Sequence, residues 1–191
     1  VRAELFHRWD IPAAGFILFV GGADPRKNHA VFLQAVAKVR AQLGGRAVLL
    51  VGDPDHPQGS YRATAQGLSL DKDVRCTGRL DREELRRLYS CTDLFVFPSR
   101  YEGFGMPVLE AMACGAPTVT SSTSSLPEVA GDAALLVDPD DVEGLGRAMV
   151  TALSDASLRD GLRQRGYERA RLFTWRRAAA STSALYRELC T

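Results

Sequence analysis

Two stretches of this sequence carry side chains whose type and spacing suit the handling of an anion. The first is Gly21-Gly22-Ala23-Asp24-Pro25-Arg26-Lys27-Asn28, which leads from an apolar run into a long helical pattern. Glycines let the backbone approach a ligand closely, and a helix N-terminus offers unpaired N–H groups and a positive dipole end. Arg26 and Lys27 at such a start oppose the macrodipole, a penalty that a bound phosphate would offset. Lysine is scarce here: Lys27, Lys38 and Lys72 stand against 21 arginines, so one beside a Gly-Gly turn draws notice. The stretch is neither a G-x-G-x-x-G nor a Walker motif, and a solvated basic pair in a surface turn is its plain structural reading.

The second stretch is Pro98-Ser99-Arg100-Tyr101-Glu102-Gly103-Phe104-Gly105-Met106-Pro107. Pro107 suits the first turn of a helix and Gly115 its C-terminal cap. Gly103-Phe104-Gly105-Met106 then forms a backbone cradle over a helix N-terminus, able to donate N–H groups to ligand oxygens. Glu102 stands before the cradle and Glu110 about one turn inside the helix. Two carboxylates flanking backbone donors suit a polyhydroxylated ligand that carries phosphate. Without such a ligand, Glu110 is a carboxylate near a helix start and Glu102 a solvated loop acid. A third stretch, Ser121-Ser122-Thr123-Ser124-Ser125-Leu126-Pro127-Glu128, is rich in hydroxyls and completes a rim.

These loops need a scaffold, and short apolar runs alternating with amphipathic ones describe it. Strands are expected at Phe16–Val20, Ala47–Val51, Val74–Cys76, Leu94–Phe97, Thr118–Thr120 and Leu135–Val137. Most are apolar at successive positions, as a parallel strand covered on both faces requires. In Asn28–Leu43, Val31, Phe32, Ala35, Val36 and Val39 make one helical stripe, and Asp81-Arg82-Glu83-Glu84 opens another helix as an Asp-led capping box. Past Val137 no strand is expected. Three helices follow, at Val142–Leu153, Leu158–Phe173 and Trp175–Leu189, with Thr174 as the last N-cap. The fold class is α/β: a doubly wound parallel sheet with helices on both faces and a helical C-terminal segment. Ligands of such sheets bind beyond the carboxyl ends of the strands, where all three loops fall.

Composition narrows the function classes. With 191 residues, 46 % hydrophobic and 25 % charged, the chain has the make-up of one globular domain. The 24 basic and 23 acidic residues leave a net charge of +1, without the basic excess that nucleic-acid phosphates call for. Apolar runs such as Phe16–Val20 are strand-sized, far short of the ~18 residues of a membrane span. Any membrane association is therefore expected to be peripheral. The segment Val1-Arg2-Ala3-Glu4 lacks the pattern of a signal peptide, so a cytoplasmic location is expected. Cys76, Cys91, Cys114 and Cys190 are scattered and read as reduced thiols; His7, His29 and His56 are isolated. No metal and no cofactor are expected. A phosphoryl-receiver domain would want clustered strand-end acids, which Asp24 and Asp53 do not make. A glycoside hydrolase has no use for Arg26-Lys27 beside a glycine cradle.

The stretch Pro98-Ser99-x-x-Glu102-Gly103-Phe104-Gly105-Met106-Pro107-x-Leu109-Glu110-Ala111-Met112-Ala113-x-Gly115-x-Pro117 resembles the E-x7-E signature of retaining glycosyltransferases of the GT-B fold. Glu102 and Glu110 have its spacing of eight positions. Val20-Gly21 through Pro25-Arg26-Lys27-Asn28, Leu126-Pro127-Glu128-Val129, Gly131 through Pro139, and Phe173-Thr174-Trp175 are similar to the same group, the glycosyltransferase family 4 type (glycosyl transferases group 1). The resemblance covers nearly all of residues 16–189.

It implies a Rossmann-like C-terminal half of a GT-B fold that holds a nucleoside diphosphate sugar, GDP-mannose ahead of a UDP-sugar, for transfer to a hydroxyl acceptor such as a saccharide or lipid-linked glycan. Carried over by position, Lys27 with Arg26 would clamp the diphosphate, Glu102 would sit by the sugar, and Glu110 would bind the ribose. Gly21 and Gly22 would line the donor site, the Gly103, Phe104, Gly105 and Met106 amides would bind sugar and phosphate, and Arg79 with Leu80 would contact the base. Many members place an arginine after the first glycine, where this sequence has Gly22, and Arg26 would take its part. Glu102 is either a nucleophile or an electrostatic stabiliser; the second role is preferred. Residues 1–15 are expected as a linker, 16–175 as the nucleotide-sugar-binding domain, and 176–191 as a helix crossing to an N-terminal domain that this chain lacks. A non-catalytic nucleotide-sugar-binding module is the alternative for the isolated chain.

Overall fold

A computed structural model describes residues 2–57 and 59–190, and of His56 the backbone alone. Val1 and Thr191, the ends of the two terminal segments, and the His56 side chain lie outside the described residues. In chain order the elements are α1 (Arg2–Arg8), β1 (Phe16–Val20), α2 (His29–Val39), β2 (Ala47–Val51), β3 (Asp55–His56), β4 (Gly59–Ser60), α3 (Tyr61–Gly67), β5 (Val74–Gly78), α4 (Arg82–Cys91), β6 (Leu94–Phe97), α5 (Met106–Ala113), β7 (Thr118–Ser121), α6 (Leu126–Ala130), β8 (Ala134–Val137), α7 (Val142–Ser154), α8 (Ala156–Arg171) and α9 (Trp175–Leu189).

Six strands form one sheet in the order β5-β2-β1-β6-β7-β8, every pair parallel. The chain works outward from β1 to β5, then returns to β6 and works outward to β8. The order therefore reverses between β1 and β6, and the loops leaving those two strands diverge into a crevice. Alternate residues of β1 explain its unbroken apolar run. Ile17 and Phe19 enter a core with Val31, Phe32, Leu145 and Met149 of α2 and α7, while Phe16 and Leu18 enter a second core with Leu88, Val108 and Met112 of α4 and α5. Both faces of β1 are covered, which accounts for the absence of polar residues along it.

Three of the expected helix starts hold in detail, while the helix expected from Leu158 begins at Ala156, capped by Asp155. Asp81 accepts from the Glu84 N–H at 2.8 Å, Asp141 from that of Gly144 at 2.8 Å, and Thr174 from that of Arg177 at 3.2 Å. Helix α8 is polar, yet it packs along α5 because its arginines satisfy orphan carbonyls at the ends of other helices. Arg163 Nε donates to the Gly115 carbonyl beyond α5 at 2.9 Å, and Arg169 Nε to the Val129 carbonyl in α6 at 3.0 Å. Among the described residues, α9 buries none of its own side chains; Trp175 and Leu189 are 84 % and 74 % exposed.

Three departures from the sequence reading have local causes. Residues 1–15, expected as a linker, carry α1, anchored by buried Leu5 and Ile11 in the second core. The small β3–β4 hairpin and α3 fill the stretch between β2 and β5, where only Tyr61 and Ala65 of the helix turn inward. The long helix begins at His29 rather than Asn28 and ends at Val39, with a separate single turn at Arg40–Gln42.

His29 is 4 % exposed, its ring edge-on to Tyr61 at 5.0 Å, and burial holds its pKa below the ordinary 6.5. The unfolded chain takes up a proton near that value while the folded chain resists it. Stability is therefore complete above about pH 7.5 and falls as pH drops through 6.5 toward the folded value. Urea midpoints are expected to decline from about pH 7.5 to about pH 5.5, and to decline less in His29→Phe. Equal slopes in the two proteins would remove His29 as the cause.

Candidate functional site

The crevice between β1 and β6 gathers most of the residues singled out in the sequence. After β1, Asp24 accepts from the Arg26 N–H at 2.9 Å and starts a single 3-10 turn, Pro25–Lys27. Asn28 then takes a left-handed conformation, φ 62°, before α2 begins. Arg26 and Lys27 thus stand ahead of α2 on a turn of their own. The macrodipole penalty expected for them falls away, because they are not in the first turn of the helix. Asn28 is 1 % exposed, and its Nδ2 donates to the Pro98 and Pro139 carbonyls at 3.1 and 2.6 Å. The Arg100 N–H donates to the Arg26 carbonyl at 2.9 Å, and the Arg100 guanidinium grips Asp140 at 2.7 Å. The loops leaving β1, β6 and β8 are stitched together around Lys27.

Lys27 Nζ lies 2.7 Å from Glu102 Oε1, with the two side chains only 17 % and 12 % exposed, and 5.0 Å from the centre of the Phe97 ring. The two residues are 75 positions apart in sequence, and the sheet order alone brings them together. Arg26 turns the other way and pairs with Asp24 at 2.7 Å, which raises its pKa further. Glu102 is held through its backbone by the third stretch. Its N–H donates to Ser124 Oγ at 3.0 Å and its carbonyl accepts from Ser125 Oγ at 2.9 Å. The hydroxyl rim is therefore the support of the Glu102 loop.

The cradle precedes α5 as expected. Gly105 has φ +99°, and a Cβ there would lie 2.7 Å from Leu126 Cδ2, so the close packing of α6 requires glycine. The N-cap of α5 is Gly105, which has no side chain to accept from the first amides of the helix. The Phe104 and Met106 side chains point elsewhere, into an apolar groove of about 840 Å³ beside α9, where Phe104 meets the Phe173 ring edge-on at 5.8 Å. Their amides, not their side chains, belong to the cradle.

Gly21, Gly22 and Arg79 line a second cavity of about 320 Å³ with Asp24, Gly52, Asp53 and Asp55. Leu80, expected beside Arg79, packs partly buried against the second core. Glu110 is exposed on α5, and its Oε2 accepts from the Tyr89 hydroxyl at 3.3 Å. Tyr89 is 2 % exposed, and burial together with the Glu110 charge pushes its pKa up, so it donates at any working pH. Tyr89 was not singled out in the sequence; its place one residue after core Leu88 is the one hint that it faces inward. Replacing Tyr89 by Phe removes one hydrogen bond to a carboxylate, about 1 kcal/mol. A ligand that uses Glu110 is expected to bind about fivefold more weakly, as calorimetric titration with a nucleoside diphosphate would measure. An unchanged affinity would separate Glu110 from the ligand.

Among the described residues no group of three or more His, Cys, Asp or Glu is arranged to hold a metal ion, and no helix is long and apolar enough to cross a membrane. What this edge of the sheet offers is the Lys27 cation and the Glu102 carboxylate in contact, with the start of α5 following on the same loop.

Comparison with known proteins gives the family and agrees with the fold. The sequence profile of glycosyl transferases group 1 matches residues 2–169. The chain is 35 % identical over 191 residues to O-antigen chain mannosyltransferase B of Escherichia coli, covering 97 % of this chain and 49 % of that protein. Among solved structures, it superposes on sucrose-phosphate synthase from Thermosynechococcus elongatus with a TM-score of 0.81 and 32 % identity, over 98 % of this chain and 48 % of that one. A C-terminal domain of a glycosyl transferase group 1 family protein from Francisella tularensis shares the fold, with a TM-score of 0.76 and 24 % identity over 90 % of this chain and 92 % of that one. The chain spans about half the length of the curated relative and of the synthase. With a Rossmann-like sheet, the E-x7-E spacing across the β6–α5 loop and α5, and a family match over most of its length, the chain belongs to the glycosyl transferases group 1, as the C-terminal half of a GT-B fold.

Proposed function

We propose that this domain is the donor-binding half of a retaining glycosyltransferase. It takes a nucleoside diphosphate sugar, GDP-mannose ahead of a UDP-sugar, for transfer to a hydroxyl of a saccharide or lipid-linked glycan. The observation that carries the reading is the meeting of Lys27 and Glu102 at the strand-order reversal, beside uncapped amides of α5. Breaking a sugar–phosphate bond leaves charge on the departing diphosphate and makes the sugar oxocarbenium-like. A cation and N–H groups aimed at the diphosphate stabilise that state more than the ground state. Lys27 acts on the diphosphate and Arg26 supplies further charge once it turns from Asp24. Gly21, Gly22 and the 103–106 amides hold phosphate and sugar oxygens, Glu110 the ribose, and Arg79 the base. Glu102 stabilises the sugar electrostatically, with the acceptor attacking the face that the diphosphate leaves. The lean toward mannose rests on the Pro25-Arg26-Lys27-Asn28 form of the loop and on the named activity of the Escherichia coli relative.

Residues 16–175 form the donor domain in this reading, and 176–191 cross to an N-terminal domain that supplies the acceptor wall. The exposed apolar positions of α9, Trp175, Leu185, Tyr186 and Leu189, suit that docking. The whole protein works in the cytoplasm, peripheral to any membrane. Isolated from its other half, the chain acts as a nucleotide-sugar-binding module without transfer. Thermal-shift titration with GDP, UDP and ADP tests the reading. A rise in Tm with GDP, and a smaller one with UDP, is expected. No shift with any of the three at millimolar concentration would overturn it.

A further inference from the structure

The two cations of the crevice are each neutralised by a carboxylate of this same chain, but in different ways. The Arg26–Asp24 pair is exposed and local, spanning two residues. The Lys27–Glu102 pair is mostly shielded from water and joins two loops. Lys27 reaches Glu102 by lying flat across Gly21: a Cβ at position 21 would stand 2.9 Å from Lys27 Cγ. The glycine thus makes room for the lysine stem. The loops themselves are fixed, by Asn28 on the Pro98 and Pro139 carbonyls and by Ser124 and Ser125 on the Glu102 backbone. The Lys27 and Glu102 side chains themselves are free to change partners.

We infer that Glu102 is an internal stand-in for the donor's diphosphate, holding Lys27 until the diphosphate displaces it and releases the Glu102 carboxylate toward the sugar. The inference rests on the donor-site reading above and adds a consequence to it. An ammonium so shielded keeps a counter-ion at all times, because unpaired charge in a poorly hydrated site is costly. A ligand phosphate competes for Lys27 against a carboxylate already in contact, so resting affinity for diphosphates is held down. The exchange also orders events: Glu102 reaches the sugar side only when a diphosphate has taken the lysine. A ligand that leaves Lys27 untouched leaves Glu102 sequestered.

The test is calorimetric titration of the 191-residue chain and its variants with GDP, UDP and inorganic pyrophosphate, with folding checked by circular dichroism. Glu102→Gln keeps the shape and removes the competing charge, and is expected to bind GDP and pyrophosphate about tenfold more tightly than the wild type. Glu102→Asp keeps the charge but withdraws it by one methylene, and is expected to bind about threefold more tightly. Glu168→Gln, an exposed change of equal charge on α8, is expected to match the wild type. Tightening in Glu102→Gln no greater than in Glu168→Gln would overturn the inference while leaving the donor site intact. So would Glu102→Asp binding like the wild type, since charge alone, not contact with Lys27, would then be at work. Absence of binding by the wild type and by every variant would overturn the donor-site reading and the inference with it.

Discussion

Replacing Lys27 by Ala in the full-length enzyme is expected to lower kcat/KM by about 2–4 kcal/mol of transition-state stabilisation, roughly 30- to 800-fold. Lys27 is the cation at the strand-order reversal, paired there with Glu102, and negative charge on a leaving diphosphate grows as the bond breaks. The loss should fall mainly on kcat, because resting binding already contends with Glu102. Lys27→Arg should recover only part of it, since a planar guanidinium is broader than an ammonium packed across Gly21. Steady-state kinetics on a full-length variant of wild-type stability checks this. Near-wild-type turnover in Lys27→Ala would remove the lysine from the mechanism.

The second large effect comes from a residue that carries no side chain. Gly52 leaves β2 with φ +129°, and a Cβ there would lie 2.3 Å from the Gly22 nitrogen and 2.7 Å from its Cα. Both obstacles are backbone, and the turn they belong to is tied down. The Gly21 N–H donates to the Val51 carbonyl and the Ala23 N–H to that of Asp53, each at 2.9 Å. Gly52→Ala must therefore push the Gly21-Gly22 turn, and Lys27 with it, out of place. A loss of about 3 kcal/mol in unfolding free energy is expected, with weakened nucleoside diphosphate binding at temperatures where the variant stays folded. Gly45→Ala serves as the control. Gly45 has φ +74° and open space around it, so about 1 kcal/mol of backbone strain is all that it should cost. Urea unfolding of both variants measures the contrast; equal losses would dismiss the contact between the β1 and β2 loops.

The sheet was largely legible before the structure because its strands are short, mostly apolar at successive positions and bounded by Gly, Pro or Asp. Phe16–Val20, Ala47–Val51 and Leu94–Phe97 need burial on both faces, and only one strand environment supplies it. Helix starts were legible for a different reason: Asp81 and Thr174 each place a short side-chain oxygen within reach of an orphan N–H of the first turn. Helix α1 and α3 were not, since each presents only one or two buried residues and no periodic stripe forms over so few.

At the site, the residue types were readable and their pairings were not. The E-x7-E spacing announces two carboxylates on one loop and helix, but which cation meets Glu102 depends on β1 and β6 being neighbours. That adjacency is set by crossover connections, not by local sequence. Arg26 and Lys27, adjacent and alike in charge, part company because Asp24 starts a tight turn and Asn28 ends it in a left-handed conformation. Tyr89 stayed hidden because an inward tyrosine on a helix looks like core until the helix opposite, with Glu110, is in place.

The measurement closest to the central claim is amide chemical-shift mapping of the 191-residue chain by nuclear magnetic resonance as GDP is added. The perturbed amides are expected to cluster at 21–28, 79–80 and 102–110, the loops that carry the Lys27–Glu102 pair and the cavity beside Gly21 and Arg79. Perturbations gathered instead at the cavity lined by Arg8, Asp10, Arg62 and Arg75 on the β5 side of the sheet, or no perturbation at saturating GDP, would contradict it.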